Sequence, residues 1–143
     1  MRVANVKTTV RKFFHHWITV TYPIHNLGKT EKAVLAELLY FRYMLSQDVK
    51  NEDLVNKLLF DYEIKVKICE AIGIPKARMP LVLTLLRKKG IVKGRTLNKS
   101  YMPELKLGDK EFVMAYKFRL EDNEKGAHKK KVRKKTKTDS KEK

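Results

Sequence analysis

Acidic residues are scarce in this chain. Only 16 Asp and Glu stand against 33 Lys and Arg, for a formal charge of +17 over 143 residues. An imbalance of that size argues against a merely solvated surface and for a polyanionic partner. Cysteine is almost absent as well. Cys69 is the single thiol, so no disulfide can close within the chain. Histidine is thinly spread, and His15 and His16 are adjacent rather than one helical turn apart, so no zinc-ligand spacing exists and neither a metal nor another cofactor is expected. No apolar run approaches ~20 residues, which leaves no candidate membrane-spanning helix and no membrane partner. The opening MRVANVKTTVRKFFHHW is basic without an uninterrupted apolar stretch and makes a poor secretory signal. A reducing compartment is expected, the cytoplasm or a particle assembled there. Catalytic arrangements are missing too. Glu63, Glu70 and Glu104 are isolated, no glycine-rich phosphate loop occurs, and no Ser-His-Asp or Cys-His set stands out, so no enzyme is expected.

What remains is an ordinary apolar fraction of 43%, enough for one hydrophobic core, and a charge concentrated at the C-terminal end. From Lys125 onward the sequence is KGAHKKKVRKKTKTDSKEK, ten basic residues against two acidic, a net of +8 that leaves +9 on residues 1–124. Only Ala127 and Val132 are apolar there, too little to fold on. Lys129, Lys130, Lys131, Arg133, Lys134 and Lys135 are expected to gather phosphates without reading sequence.

Hydrophobic spacing predicts a helix over about residues 31–47, with Val34, Leu38, Phe41 and Leu45 on one face, Leu35 and Leu39 widening it, and Thr30 as N-cap. A shorter helix follows over about 51–60, capped by Asn51, with Leu54, Val55, Leu58 and Leu59 buried. Ile64, Ile68 and Ile72 share the face of a third helix, with Asp61 as its cap. Gly73 then supplies the left-handed position of a tight turn. A fourth helix carries Met79, Leu83 and Leu86, begins late because Pro80 belongs in a first turn, and stops at Gly90. Ile91 and Val92 open a strand, and Phe112, Met114, Tyr116, Phe118 and Leu120 alternate with Val113, Ala115, Lys117 and Arg119 as the strand that follows. Residues 13–24, FFHHWITVTYPI, fit a helix or a strand ended by Pro23; packing is the favoured role of Phe13, Phe14 and Trp17 over stacking on bases.

The run Ile68, Cys69, Glu70, Ala71, Ile72, Gly73, Ile74, the anchors Met79, Leu83 and Leu86, and Lys89, Gly90, Ile91, Val92 resemble the winged helix-turn-helix family. The resemblance implies a mainly α fold with a small β-hairpin (α+β): a basic and aromatic arm over 1–28, a winged helix-turn-helix domain over 29–120, and a disordered basic tail over 121–143. Cys69 then fills a small-residue position between two helices. The compact size, basic arms and short wing are similar to small winged-helix proteins of bacteriophages, for which the compartment would be host cytoplasm or virion.

In this family the second helix of the motif faces the major groove. The resemblance therefore implies that Lys76, Arg78, Leu81, Thr84, Arg87 and Lys88 meet double-stranded DNA. Arg78 suits a guanine, Thr84 a base or phosphate, Lys76, Arg87 and Lys88 phosphates. Lys93, Arg95 and Lys99 in the wing would then track the backbone or enter the minor groove. Leu81 departs from a base-reading pattern: it suits a thymine methyl or, with Leu85, a protein interface. The expected function is a DNA-binding transcriptional regulator or replication-associated protein, with the 13–24 segment as a possible homodimer element. Two alternatives stay open: a phage or other structural and assembly protein docking a partner through Leu81 and Leu85, and an RNA- or ribosome-associated basic protein.

Overall fold

Six consecutive residues, Val34, Leu35, Ala36, Glu37, Leu38 and Leu39, are buried in the middle of one helix. A helix enclosed on every side is a hub rather than a surface element. In the computed structural model, which describes residues 2–122, this helix is α3, Lys29–Asp48. It touches α1 (Val10–Val20), α4 (Glu52–Leu59), α5 (Tyr62–Ile72) and α6 (Met79–Lys88). The protein is mainly helical with one small antiparallel sheet, β1 (Val92–Lys93) beside β2 (Thr96–Leu97). The chain divides into two compact units, Met1–Lys110, which holds all of these elements, and Glu111–Lys143.

Residues 13–24 are helical. Thr9 caps α1 by accepting the Lys12 N–H at 3.3 Å, and Phe14, Trp17 and Ile18, spaced to share a face, are buried. The basic and aromatic segment over 1–28 thus holds helix from Val10, and the burial of Phe14 and Trp17 agrees with packing as their role. Pro23 does not end the segment. It lies in the first turn of a four-residue helix, α2 (Tyr22–His25), where its missing N–H costs nothing.

α3 starts at Lys29, earlier than its apolar spacing predicts, and its N-cap is Gly28 rather than Thr30. The Glu31 carboxylate accepts the Gly28 N–H at 3.1 Å, a contact that serves the helix start without a capping hydroxyl. Asn51 caps α4 as expected, accepting Leu54 N–H at 3.2 Å, but Leu54 itself is exposed: Val55 and Leu59 make the buried face with Phe60 just beyond. Asp61 occupies the cap position of α5 without a side-chain hydrogen bond. Gly73 has φ 75°, and the N–H groups of Gly73 and Ile74 both bond the Cys69 carbonyl, closing the turn. A 3-10 turn over Lys76–Arg78 leads into α6, with Pro80 in its first turn. Met79, Val82, Leu83 and Leu86 face the core. Cys69 is buried, and burial pushes its thiol pKa up.

The strand expected over residues 112–120 does not form: those residues hold no regular structure, and Val113, Phe118 and Leu120 are exposed. β1 instead finds its partner four residues on. Val92 pairs with Leu97 and Lys93 with Thr96 across a two-residue turn in which Gly94, at φ 61°, occupies the position that such hairpins give to glycine. Alternation gives a strand its two faces, whereas a ladder also needs a partner whose N–H and C=O groups are in reach. Residues 121 and 122 hold no regular structure, and Lys129, Lys130, Lys131, Arg133, Lys134 and Lys135 of the expected tail lie outside the described residues.

Two long-range polar features lock the helices. Glu37, 1% exposed, accepts from Arg11 Nη2 and lies 2.7 Å from His15 Nε2, tying α1 to the hub. His25 is buried, with Nε2 2.7 Å from the Ile18 carbonyl and Nδ1 accepting the Leu27 N–H at 3.0 Å. These partners require a neutral ring protonated on Nε2. Burial lowers its pKa, the Ile18 carbonyl partly offsets this, and the Lys32 and Lys89 charges lower it further.

Leu38 sits at the centre of the hub, so Leu38→Ala should cost about 2–5 kcal/mol in denaturant unfolding. A loss under about 1 kcal/mol would contradict the central role given to α3. The unfolded chain takes up the His25 proton near pH ~6.5, and the native chain only at lower pH. The His25 contribution is thus fully present above about 6.5 and lost as pH falls through the folded value. NMR titration of the His25 ring should show a depressed midpoint, with the thermal midpoint falling over the same range. An ordinary titration would contradict the buried neutral ring.

Candidate nucleic-acid interface

Between Glu70 and Glu104 the sequence contains no acidic residue and eight basic ones: Lys76, Arg78, Arg87, Lys88, Lys89, Lys93, Arg95 and Lys99. The fold turns this stretch into a continuous set of elements: the 3-10 turn, α6 and the β1–β2 hairpin, which packs against α6. The charge gap is plain in the sequence, and a window count of charge, rather than the total, reveals it.

α6 buries one face and leaves Pro80, Leu81, Thr84, Leu85, Arg87 and Lys88 exposed, with Lys76, Ala77 and Arg78 exposed in the turn before it. Leu81 is 67% and Leu85 42% exposed. The Thr84 hydroxyl donates to the Pro80 carbonyl at 2.8 Å, so its one hydrogen is used within the helix. Arg87 points at the hairpin, donating from Nε and Nη2 to the Gly94 carbonyl at 3.3 and 3.2 Å. It acts first as a strut between helix and hairpin. Lys99 belongs to a 3-10 turn over Lys99–Tyr101 beyond β2, with Nζ 3.7 Å from Glu52 Oε1, a partner that reduces its pull on an anion. Lys76, Arg78, Lys88, Lys93 and Arg95 have no hydrogen-bond or ion-pair partner for their side chains among the described residues.

Other contacts hold the hairpin in place. Asn98 donates from Nδ2 to the Gly90 carbonyl at 2.9 Å, its N–H bonds the Ile91 carbonyl at 2.7 Å, and its Oδ1 accepts the Ser100 N–H at 3.0 Å. Lys89 is a fastener too: Nζ reaches the Asn26 carbonyl at 2.6 Å, joining the end of α6 to the end of α2. Ile91, Val92 and Leu97 are buried beneath the hairpin.

A second polar cluster borders the start of this stretch, at the end of α5. Arg11, Lys12, His15, Glu37, Ala71 and Ile72 line an open groove. Its carboxylate is satisfied by Arg11 and His15, and the Arg11 guanidinium, hydrogen-bonded to Glu37, has its pKa raised while also lying 4.7 Å from the Tyr40 ring centroid. That cluster fastens α1 to α3. Among the described residues no group of three or more His, Cys, Asp or Glu is placed to hold a metal ion, and no helix is long and apolar enough to cross a membrane.

No protein-family model, curated protein or solved structure matches this chain.

Arg87→Ala removes the strut without opening the core. Hydrogen exchange at the hairpin amides should quicken about tenfold while global stability shifts by no more than about 1 kcal/mol, the scale of one exposed hydrogen bond. Unchanged hairpin exchange would show that Asn98 and the buried Val92 and Leu97 hold it alone.

Proposed function

We propose that the protein binds double-stranded DNA, with α6 and the β1–β2 hairpin as the contact surface of a winged helix-turn-helix, serving as a transcriptional regulator or a replication-associated DNA binder. The observation that carries the reading is the acid-free stretch between Glu70 and Glu104, folded into one helix and one hairpin, with five cationic side chains unpaired among the described residues. Phosphate contacts supply most of the affinity of such surfaces and do not read sequence. Lys76 and Arg78 stand at the start of the exposed α6 face, Lys88 at its end, and Lys93 and Arg95 on the hairpin, a spread suited to phosphates on both sides of a groove. The basic tail adds further non-specific contacts.

The exposed Leu81 and Leu85 favour a second reading, an assembly protein that docks a partner through α6. Salt dependence separates the two. The full chain should bind a random-sequence DNA duplex with affinity that falls steeply as salt rises. Replacing both Lys93 and Arg95 by Ala should reduce the log–log slope by about 2, since each lost phosphate contact removes ~0.9. An unchanged slope, with binding abolished only by neutralising the tail lysines, would overturn the interface and favour docking. Tighter binding of an RNA duplex at the same salt would overturn the choice of DNA.

A further inference from the structure

The polar readers on α6 are fewer than the sequence suggests. From Met79 to Leu86 the only side chain with a hydrogen-bond donor is Thr84, and its hydrogen is already donated to the Pro80 carbonyl. Arg87 follows, with its guanidinium turned onto the Gly94 carbonyl of the hairpin. The centre of the exposed face is thus Pro80, Leu81 and Leu85, with Leu81 67% exposed. Cations stand at the ends, Lys76 and Arg78 before the helix and Lys88 in its last turn.

A base edge in the major groove offers hydrogen-bond donors, acceptors and, on thymine alone among the four DNA bases, an apolar C5 methyl. A helix with no spare donor at its centre cannot donate to a base there; the Thr84 oxygen keeps its acceptor capacity, and the rest of the central face is apolar. An exposed leucine flanked by cations fits a methyl lying between two phosphate backbones. We infer that α6 reads thymine methyl groups in the major groove through Leu81, with Leu85 beside it, while Lys76, Arg78 and Lys88 hold the phosphates on either side. This inference rests on the DNA-binding reading above and names the base chemistry that reading would use. Its ligand is duplex DNA rich in thymine. Cytosine methylated at C5 presents the same group at the same place and is recognised by the same contact.

The test is a cycle of four affinities measured with the full chain at one fixed salt concentration: wild type and Leu81→Ala, each against a duplex of alternating adenine and thymine and against the same duplex with uracil in place of thymine. Removing the methyl deletes one buried CH2-sized group per contact, which corresponds to about fourfold in affinity. Wild type should bind the thymine duplex about four- to fifteenfold more tightly, according to whether one or two methyls are covered. Leu81→Ala, a change at an exposed position, should keep its helical circular dichroism and bind both duplexes alike. In a mixed-sequence duplex, 5-methylcytosine in place of cytosine should tighten wild-type binding by a similar factor. Equal wild-type binding of the thymine and uracil duplexes would overturn the inference and leave DNA binding standing. A thymine preference that survives in Leu81→Ala would also overturn it, because the preference would then come from groove shape or from another residue. Failure to bind any duplex would instead remove the DNA-binding reading itself.

Discussion

The enclosure of α3 is the constraint on which the other elements depend. A helix buried all round its middle needs neighbours on every side, and α1, α4, α5 and α6 are those neighbours. Apolar burial provides the drive, and Glu37 makes the arrangement specific. A carboxylate at 1% exposure is tolerable only when its charge is met, and Arg11 and His15 meet it from α1 alone. Removing Arg11 would take the ion-pair partner from a buried carboxylate, whereas an apolar replacement of the carboxylate would leave no such group. The N-terminal helix is thereby tied to one place on the hub.

From the hub the structure passes to the acid-free stretch through α6. One side of this helix supplies Met79, Val82, Leu83 and Leu86 to the core; the other carries Leu81 and Leu85 outward. Three fasteners set its orientation. Lys89 bonds the end of α2, Asn98 bonds the Gly90 carbonyl, and Arg87 bonds the turn of the hairpin. Two of the eight basic residues in the acid-free stretch, Arg87 and Lys89, therefore act on backbone carbonyls. A count of positive charge overstates what is left for an anion, and the remaining cations lie at the edges of an apolar centre.

That separation of tasks gives the face its chemical character. In the proposed complex, charge at the edges would attract and position a polyanion, while the middle has no free donor with which to distinguish bases. An apolar contact contributes less per group than a bidentate pair, but it requires no partner of fixed geometry.

The helices after residue 28 and the turn at Gly73 were legible in the sequence because their causes are local. Apolar spacing acts between residues three or four apart, a cap reaches three residues, and a left-handed turn position selects glycine by itself. The late start of α6 was legible for the same reason, from Pro80. The charge gap between Glu70 and Glu104 was present in the sequence too, and its placement on one helix and the wing after it was expected from the resemblance. Tertiary structure alone decided the rest. Arg11 and Glu37 are 26 residues apart and Lys89 and Asn26 are 63 apart, so nothing in their surroundings along the chain announces the pairing. Whether residues 13–24 are helix or strand followed from the hub that α1 covers. Strand pairing went to Thr96–Leu97 rather than to the longer alternating stretch over 112–120, since two short strands joined by a glycine turn bring their backbone groups together at the least loop cost. Local periodicity determines what a segment can become; contacts between distant residues decide what it packs against and which side chains remain free.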